Sequence, residues 1–322
     1  MKHADYFDNF MTSTVNLSKF KLERLEKNVE DLFSALKGDT EFGAKVISKK
    51  RQGSWAQRTI IEPQNGKEFD GDIMVRLRAN SEWADNPSAY TNALYNALVR
   101  VIKGRDITRK ARCVRVHYGA MHVDVVPYVV LDDGSEAIIN RDTNEFEATN
   151  PAAFTTWMRE QDDIAHGNLR KVIRMMKYLR DHKNSFTGTR SIILTTLLGE
   201  RVSAAKEIWT PGAYGDLPTA LLTIVTDLDD WLLHQFSKPR VDDPSGTGLN
   251  FDHRWNDESF HYFKARLKVH AAQIREACEE EDFDKSVKKW QALFGEDFKA
   301  PKPATPAKFG STVGGASTGR AG

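Results

Sequence analysis

The sequence predicts an α/β lobe over residues 1–150, a helical lobe over 151–298 and a low-complexity tail over 299–322. Three observations support this division. Short β-branched runs, punctuated by turn residues, share the first half with two helical stretches. After residue 150 helical stretches dominate. Beyond residue 299 the composition shifts: of the 22 residues from Pro301 to Gly322, 17 are Gly, Ala, Ser, Thr or Pro. Such a tail buries too little apolar surface to offset its ordering entropy, so disorder is expected there. The remaining chain, with 40% hydrophobic residues overall, is long enough for a real core in one large or two medium domains.

The elements follow in order. Leu22, Leu25, Val29, Leu32 and Leu36 recur at spacings of 3, 4, 3 and 4, which predicts a long helix over 16–37 with Gly38 as its C-cap. A short strand over 44–50 leads into Gly53-Ser54, and 57–61 reads as another strand. "PQNGK" at 63–67 is a turn. Residues 68–78 read as a strand, 88–104 as a helix, and 111–118 and 120–131 as strands. "LDDGSE" at 131–136 turns the chain into a strand over 137–139. Helices are predicted over 152–162, 167–182, 190–208, 217–236, 257–279 and 282–294, with a long polar loop at 238–252.

Several function classes lose support. The formal net charge is +1, so there is no basic excess of the kind that marks nucleic-acid binding. No run of about 18 apolar residues occurs, so no membrane span is expected. The N-terminal "MKHADYFDNFMT" lacks the apolar stretch of a signal peptide. Cys113 and Cys278 stand far apart, without disulfide or zinc spacing, which fits a reducing compartment. These features together lead to the expectation of a cytoplasmic protein.

The chemistry concentrates in the first lobe. Asp70 and Asp72 share one face of a strand. Asp124 lies within a run of valines, where an unpaired charge is costly. If the two strands pair, three carboxylates converge. Hard divalent cations such as Mg²⁺ take oxygen ligands, commonly a few carboxylates and substrate phosphates. Two such ions about 4 Å apart clamp the attacking and leaving oxygens of a phosphoryl displacement. Upstream, Gly53-Ser54 has the makings of a phosphate-binding turn: glycine allows close backbone approach and serine donates. On helix 167–182, Leu169, Val172, Ile173, Met176 and Leu179 form an apolar stripe, with Arg170, Arg174 and Lys177 opposite. Read alone, that basic stripe is a solvated face. Beside a triphosphate it would neutralise the β- and γ-phosphates.

"GSWAQRT", "FDGDIMV" and "HVDVVPY" together resemble the active-site pattern of bacterial CD-NTases, which belong to the polymerase-β-like nucleotidyltransferases. In the second lobe, "VIRMMKY" resembles the helix whose lysine contacts the donor triphosphate, here Lys177. "TRSIILTTLL" resembles the helix start whose serine does the same, here Ser191, and "VDDPSGTGLNFDHRW" resembles the family's Asp/Asn-Pro loop. The middle residue of Asp-x-Asp is usually apolar; Gly71 departs from that and is expected to loosen the strand.

The resemblance implies a bilobed fold: a mixed sheet with a long spine helix, a helical lobe, and the active site in the cleft between them. It implies synthesis of a cyclic di- or trinucleotide from NTPs, ATP among them, for antiphage signalling through a separate product-activated effector. Asp70, Asp72 and Asp124 would hold two Mg²⁺ ions, with Mn²⁺ able to substitute. Gly53, Ser54, Lys177 and Ser191, with Arg174 from the basic stripe, would bind nucleotide. It further implies that an operon-encoded, ubiquitin-transfer-like partner conjugates the C-terminal Gly322, since "GRAG" meets the steric demand of such an enzyme. Two alternatives stand beside this reading: another polymerase-β-like transferase acting on tRNA or a small molecule, which the shared metal triad does not exclude, and a nucleotide-binding module without catalysis, against which the intact triad argues.

Overall fold

The computed structural model describes residues 1–302 apart from Asn65. Most of the predicted tail, Gly322 included, therefore lies outside the described residues. Helix α1 (Ala4–Phe10) leads the chain and continues into a π turn over Met11–Val15. Helix α2 (Lys19–Gly38) is the predicted spine helix. It begins three residues later than its apolar period suggests because Ser18 caps it, accepting from the Lys21 N–H at 3.3 Å. Leu25, Val29, Leu32 and Leu36 are buried, as their spacing requires.

Strand β1 (Val46–Gln52) runs into a single-turn helix α3 (Gly53–Ala56), followed by β2 (Phe69–Leu77), α4 (Ser88–Val101), β3 (Ile107–Arg109) and β4 (Val114–His117). Strands β5 (Met121–Val130), β6 (Glu136–Asn140) and β7 (Glu145–Ala148) complete the first lobe. The sequence reading omits β3 and β7, which are too short for alternation to show. The second lobe holds α5 (Pro151–Ile164), α6 (Leu169–His182), α7 (Ser191–Gly199), α8 (Ala204–Trp209), α9 (Leu217–Leu233), α10 (Asp257–Glu279) and α11 (Phe283–Phe294).

Two predicted elements fail. Residues 57–61 form no strand; within them only Ile61 makes an isolated bridge, to Asn16. Carbonyls that a strand would give to a neighbour are taken by α6 instead. Arg170 Nε donates to Gln57 O at 2.9 Å and Lys177 Nζ to Thr59 O at 2.8 Å. The single helix expected over 190–208 is two helices, because Ser203 caps a new start, accepting from the Lys206 N–H at 3.4 Å.

The sheet is mixed, ordered β1-β2-β5-β4-β3, with β6 on β5 and β7 on β6. Among the described residues every pairing except β2 with β5 is antiparallel. Phe69, Ile73, Val75 and Leu77 of β2 enter the core beneath α2 and α4. Asp70, Asp72 and Met74 alternate to the opposite face. The second core lies among the C-terminal helices, and it includes residues assigned from sequence to the first lobe: Phe7, Phe10, Met11 and Val15. Phe7 meets Trp290 and Phe298 edge-on, with ring centroids 4.9 and 5.0 Å apart. The chain therefore starts in the helical lobe and crosses to the sheet through α2.

Gly71 is not a loose point. A Cβ there would stand 2.5 Å from Leu25 Cδ1, so the spine helix packs against the bare backbone of the sheet at this point. Gly71→Ala is expected to destabilise the protein by about 1–3 kcal/mol through overpacking, and urea denaturation measures it. Unchanged stability would mean that Leu25 moves aside without cost.

Candidate active site

The parallel pairing of β2 with β5 sets Asp72 opposite Asp124 and Asp70 opposite His122. Side chains in register on neighbouring strands share a face, so the three carboxylates predicted to converge do lie on one patch of the sheet. Asp70 is exposed, Asp72 half-buried and Asp124 buried. Burial first, then the charges of Asp70 and Asp124, push the Asp72 carboxyl up to about 8, against the pull of Arg115 and Lys177. Burial and the neighbouring carboxylates together outweigh the two cations.

Arg115, which the sequence reading passed over, supplies part of the counter-charge. It stands opposite Asp124 across the β4–β5 pair. Its Nε donates to Asp124 Oδ1 at 2.7 Å and its Nη2 to Oδ2 at 2.8 Å. The available signal was a charge between Val114 and Val116 in a short alternating strand. Among the described residues, no three His, Cys, Asp or Glu side chains are disposed to hold an ion as they stand. The donor chemistry nevertheless suits a hard divalent cation: adjacent carboxylates, one of them strained by its neighbours' charge. Asp124 has to share or release Arg115 to join the set.

Gly53 lies against this patch. Its φ is +59°, and a Cβ there would fall 2.3 Å from Asp72 Oδ2. Only glycine meets both conditions, the left-handed backbone and the close approach to the carboxylate. β1 pairs Gln52 with Asp72, so the Gly53-Ser54 turn follows at the mouth of the acidic patch.

Opposite the sheet, α6 does not present its basic residues to solvent as a free-standing stripe would. Two of its basic side chains, Arg170 and Lys177, hold the 57–64 segment, and Gln64 Nε2 of that segment donates to the main-chain carbonyl of Tyr178 at 3.2 Å. Lys177 is 6% exposed. Burial, then Arg180, pushes its ammonium down to about 8, while Asp70, Asp181 and Asp72 pull it up. Lys177 and Ser191 both line the cleft; Arg174 is not among its lining residues. Arg174 is turned into the protein, with Nε buried and unpartnered among the described residues, and burial holds its guanidinium below the ordinary value. Arg180, also unpredicted, donates from Nη1 to Ser191 Oγ at 3.2 Å.

The cleft between sheet and helices measures about 650 Å³ and brings Gly53, Ser54, Asp70, Asp72, Asp124, Lys177 and Ser191 together. Residues 1–162 match the model of the Second Messenger Oligonucleotide or Dinucleotide Synthetase domain. The chain belongs to this family. It is a metal-dependent nucleotidyltransferase that makes a cyclic oligonucleotide second messenger, and an antiphage signalling role fits the family. The cyclic AMP-AMP-AMP synthase of an Acinetobacter species is 25% identical over 288 residues, covering 88% of this chain and 82% of that protein. A c-di-GMP synthase of Roseivirga ehrenbergii is 26% identical over 224 residues, 59% of this chain and 58% of that one. In fold, the enzyme is similar to Escherichia coli MS115-1 CdnC solved with ATP, at 18% identity and a TM-score of 0.71, covering 92% of this chain and 98% of that one. Vibrio cholerae DncV with nonhydrolyzable GTP gives 17% identity and 0.72, covering 92% and 97%. No helix among the described residues is long and apolar enough to cross a membrane.

The acidic patch has a pH signature. Folding raises the Asp72 pKa from its ordinary 3.8 to about 8, so its contribution to stability is full below about pH 4 and is lost as pH rises through 8. In chelator, the wild type is expected to lose stability across that window. Asp72→Asn, neutral throughout, should lose less and be the more stable protein at the alkaline end. Parallel denaturation curves for the two proteins at every pH would show that Asp72 is not under strain.

Proposed function

We propose that the cleft joins a 3′- or 2′-hydroxyl of one nucleoside triphosphate to the α-phosphorus of another, and repeats the step to close a cyclic di- or trinucleotide. The observation that carries this reading is the register of Asp72 with Asp124, beside a glycine turn that touches Asp72. In each step the hydroxyl oxygen forms a bond to the α-phosphorus, the bond to the β-phosphate bridge breaks and pyrophosphate leaves, while the hydroxyl proton passes to the Asp124 carboxylate. ATP is one substrate. The Acinetobacter relative is named for an all-adenosine product, and CdnC was solved with ATP.

Asp70 and Asp72 would hold two Mg²⁺ ions, with Mn²⁺ able to substitute, and Asp124 would complete the set on the side of the attacking hydroxyl. Bound there, the ions supply charge stabilisation for the attacking and leaving oxygens. The Gly53 turn brings backbone N–H groups to the donor phosphates, and Ser54 donates its hydroxyl. Lys177 places a positive charge on the triphosphate from the far wall. Arg180 orients Ser191 for the same task through its hydrogen bond to Oγ. Arg174, off the cleft, has no role in this scheme.

Incubating the protein with all four NTPs and Mg²⁺ or Mn²⁺, then identifying phosphatase-resistant products by mass spectrometry, tests the reading. Asp70→Asn with Asp72→Asn should lower turnover by about a thousandfold or more while the fold persists. Near wild-type product from that variant would overturn the site.

Lys177→Met keeps most of the buried volume and removes the charge. It should raise the NTP KM by roughly tenfold or more, the loss expected for a charge-assisted phosphate contact. An unchanged KM would confine Lys177 to its bond with Thr59.

A further inference from the structure

The connection between α6 and α7, residues 183–190, leads straight into Ser191, and its backbone is strained. Asn184 and Phe186 both have positive φ, +47° and +39°. Asparagine tolerates the left-handed region, but a bulky phenylalanine stays there only where its surroundings hold it. Those surroundings are one face of α10. Ser259, Phe263, Arg266, His270 and Gln273 recur at spacings of 4, 3, 4 and 3, which puts them on a single stripe of the helix. Phe186 is fully buried, its ring centroid 5.4 Å from Phe263 and 6.0 Å from His270, edge-on to both. A Cβ on Gly188 would fall 2.7 Å from Ser259 Oγ, so glycine lets the connection lie close against the helix. Ser185, 1% exposed, turns its hydroxyl to the same stripe: Oγ stands 3.1 Å from His270 Nε2 and 3.1 Å from Arg266 Nε.

The direction of each hydrogen bond in this network follows from its partners. Arg266 Nε only donates, so Ser185 Oγ accepts from it. Gln273 Oε1 only accepts, so His270 Nδ1, 3.1 Å away, carries the hydrogen. His270 Nε2 is then bare and accepts from the Ser185 hydroxyl. The chain runs from Arg266 through Ser185 and His270 to Gln273, and it closes with a neutral imidazole. Burial holds the buried His270 below its ordinary pKa; the Gln273 bond pulls it up, while Arg266 and Lys183 push it down.

At its other end the connection reaches the active site. Trp255 Nε1 donates to Thr189 Oγ1 at 3.1 Å. Arg180 Nη1 donates to Thr189 O and to Ser191 Oγ, both at 3.2 Å. The α10 stripe lies outside the lining of the active-site cleft, whereas Ser191 is part of it. Ser191 is thus placed from two sides, by Arg180 of α6 and by α10 through the strained connection.

We infer that His270 is a positioning residue for the reaction: through Ser185 it holds the 183–190 connection in its left-handed form, and thereby sets Ser191 against the donor triphosphate. This rests on the proposed role of Ser191 for what is bound, but not for the anchoring itself.

The test uses the full chain with two substitutions. His270→Leu removes the acceptor at similar volume, and His270→Gln offers an amide oxygen in place of Nε2. Ile274→Val, a buried change on the same helix, controls for lost stability. Hydrogen exchange at the amides of 183–190 should rise in His270→Leu and stay near the wild-type rate in His270→Gln and Ile274→Val. Equal exchange in His270→Leu and the wild type overturns the anchoring, whatever the enzyme's reaction. If His270→Leu does not fold, Ser185→Ala takes its place with the same expectations. Calorimetry with Mg²⁺ and α,β-methylene-ATP, whose α-phosphorus cannot be transferred, then measures donor binding. His270→Leu should raise the Kd by about tenfold, and His270→Gln should restore it. In a Ser191→Ala background, His270→Leu should add no further loss, because its effect passes through that hydroxyl. A weakened Ser191→Ala beside an unchanged His270→Leu, or a full further loss in the double variant, overturns the positioning role alone. Wild-type affinity in Ser191→Ala itself sinks the donor-site role of Ser191, and this inference with it. A wild type that binds as expected but makes no oligonucleotide upholds the positioning of Ser191 and sinks the reaction instead.

Discussion

The parallel pairing of β2 with β5 is the constraint on which the rest of the site depends. It fixes Asp72 beside Asp124 and leaves Asp70 one alternation away, so that repulsion is built into the sheet. Backbone hydrogen bonds along both strands and the apolar face beneath α2 and α4 hold the carboxylates where solvent alone would let them separate. Burial first, and then that repulsion, push the Asp72 carboxyl up to about 8. Arg115 supplies part of the counter-charge, gripping Asp124 with both arms of its guanidinium.

The two lobes are joined by chemistry as well as by chain. The segment from Gln57 to Gln64 belongs by sequence to the sheet lobe, yet its polar groups are satisfied by α6. Lys177 takes part in both functions. Its ammonium bonds to Thr59 O and faces the space above the acidic patch. A buried amine with a lowered pKa is costly to keep charged, and a triphosphate beside it would repay that cost in the bound state. The N-terminal helix adds a further tie, because Phe7 and Phe10 are buried among α11 and Phe298 while α2 continues into the first core. Motion of one lobe against the other is therefore opposed at the spine and at the 57–64 segment together.

Charge is segregated along the cleft. Carboxylates gather on the sheet wall, Lys177 and Arg180 line the cleft with them, and Arg112, Arg190 and Arg254 lie at the far end, Arg112 paired with Glu147. A reaction between two polyanions needs such a layout, since each substrate brings phosphates that repel the other's.

Much of this was legible in the sequence because it depends on local periodicity. The spine helix follows from leucines three and four apart, the strands from alternation, and the shared face of Asp70 and Asp72 from a spacing of two. Asp124 announced itself as a charge among valines. Gly53 was readable as a candidate turn, but its necessity was not, since that comes from the 2.3 Å approach to Asp72 from a strand many residues away. Gly71 was misread for the same reason: the atom that excludes a side chain there belongs to Leu25. The basic stripe of α6 looked solvated because its amphipathic pattern records only which side is polar, not what covers it. Arg115, Arg180, Arg190 and Arg254 drew no notice, since an isolated arginine carries no pattern. By itself, then, the sequence determined the elements and which residues share a face, since those follow from the geometry of one helix or strand. Only the tertiary structure decided which faces meet, and with them the partners of each charge, because pairing across the sheet and between lobes depends on residues far apart in the chain.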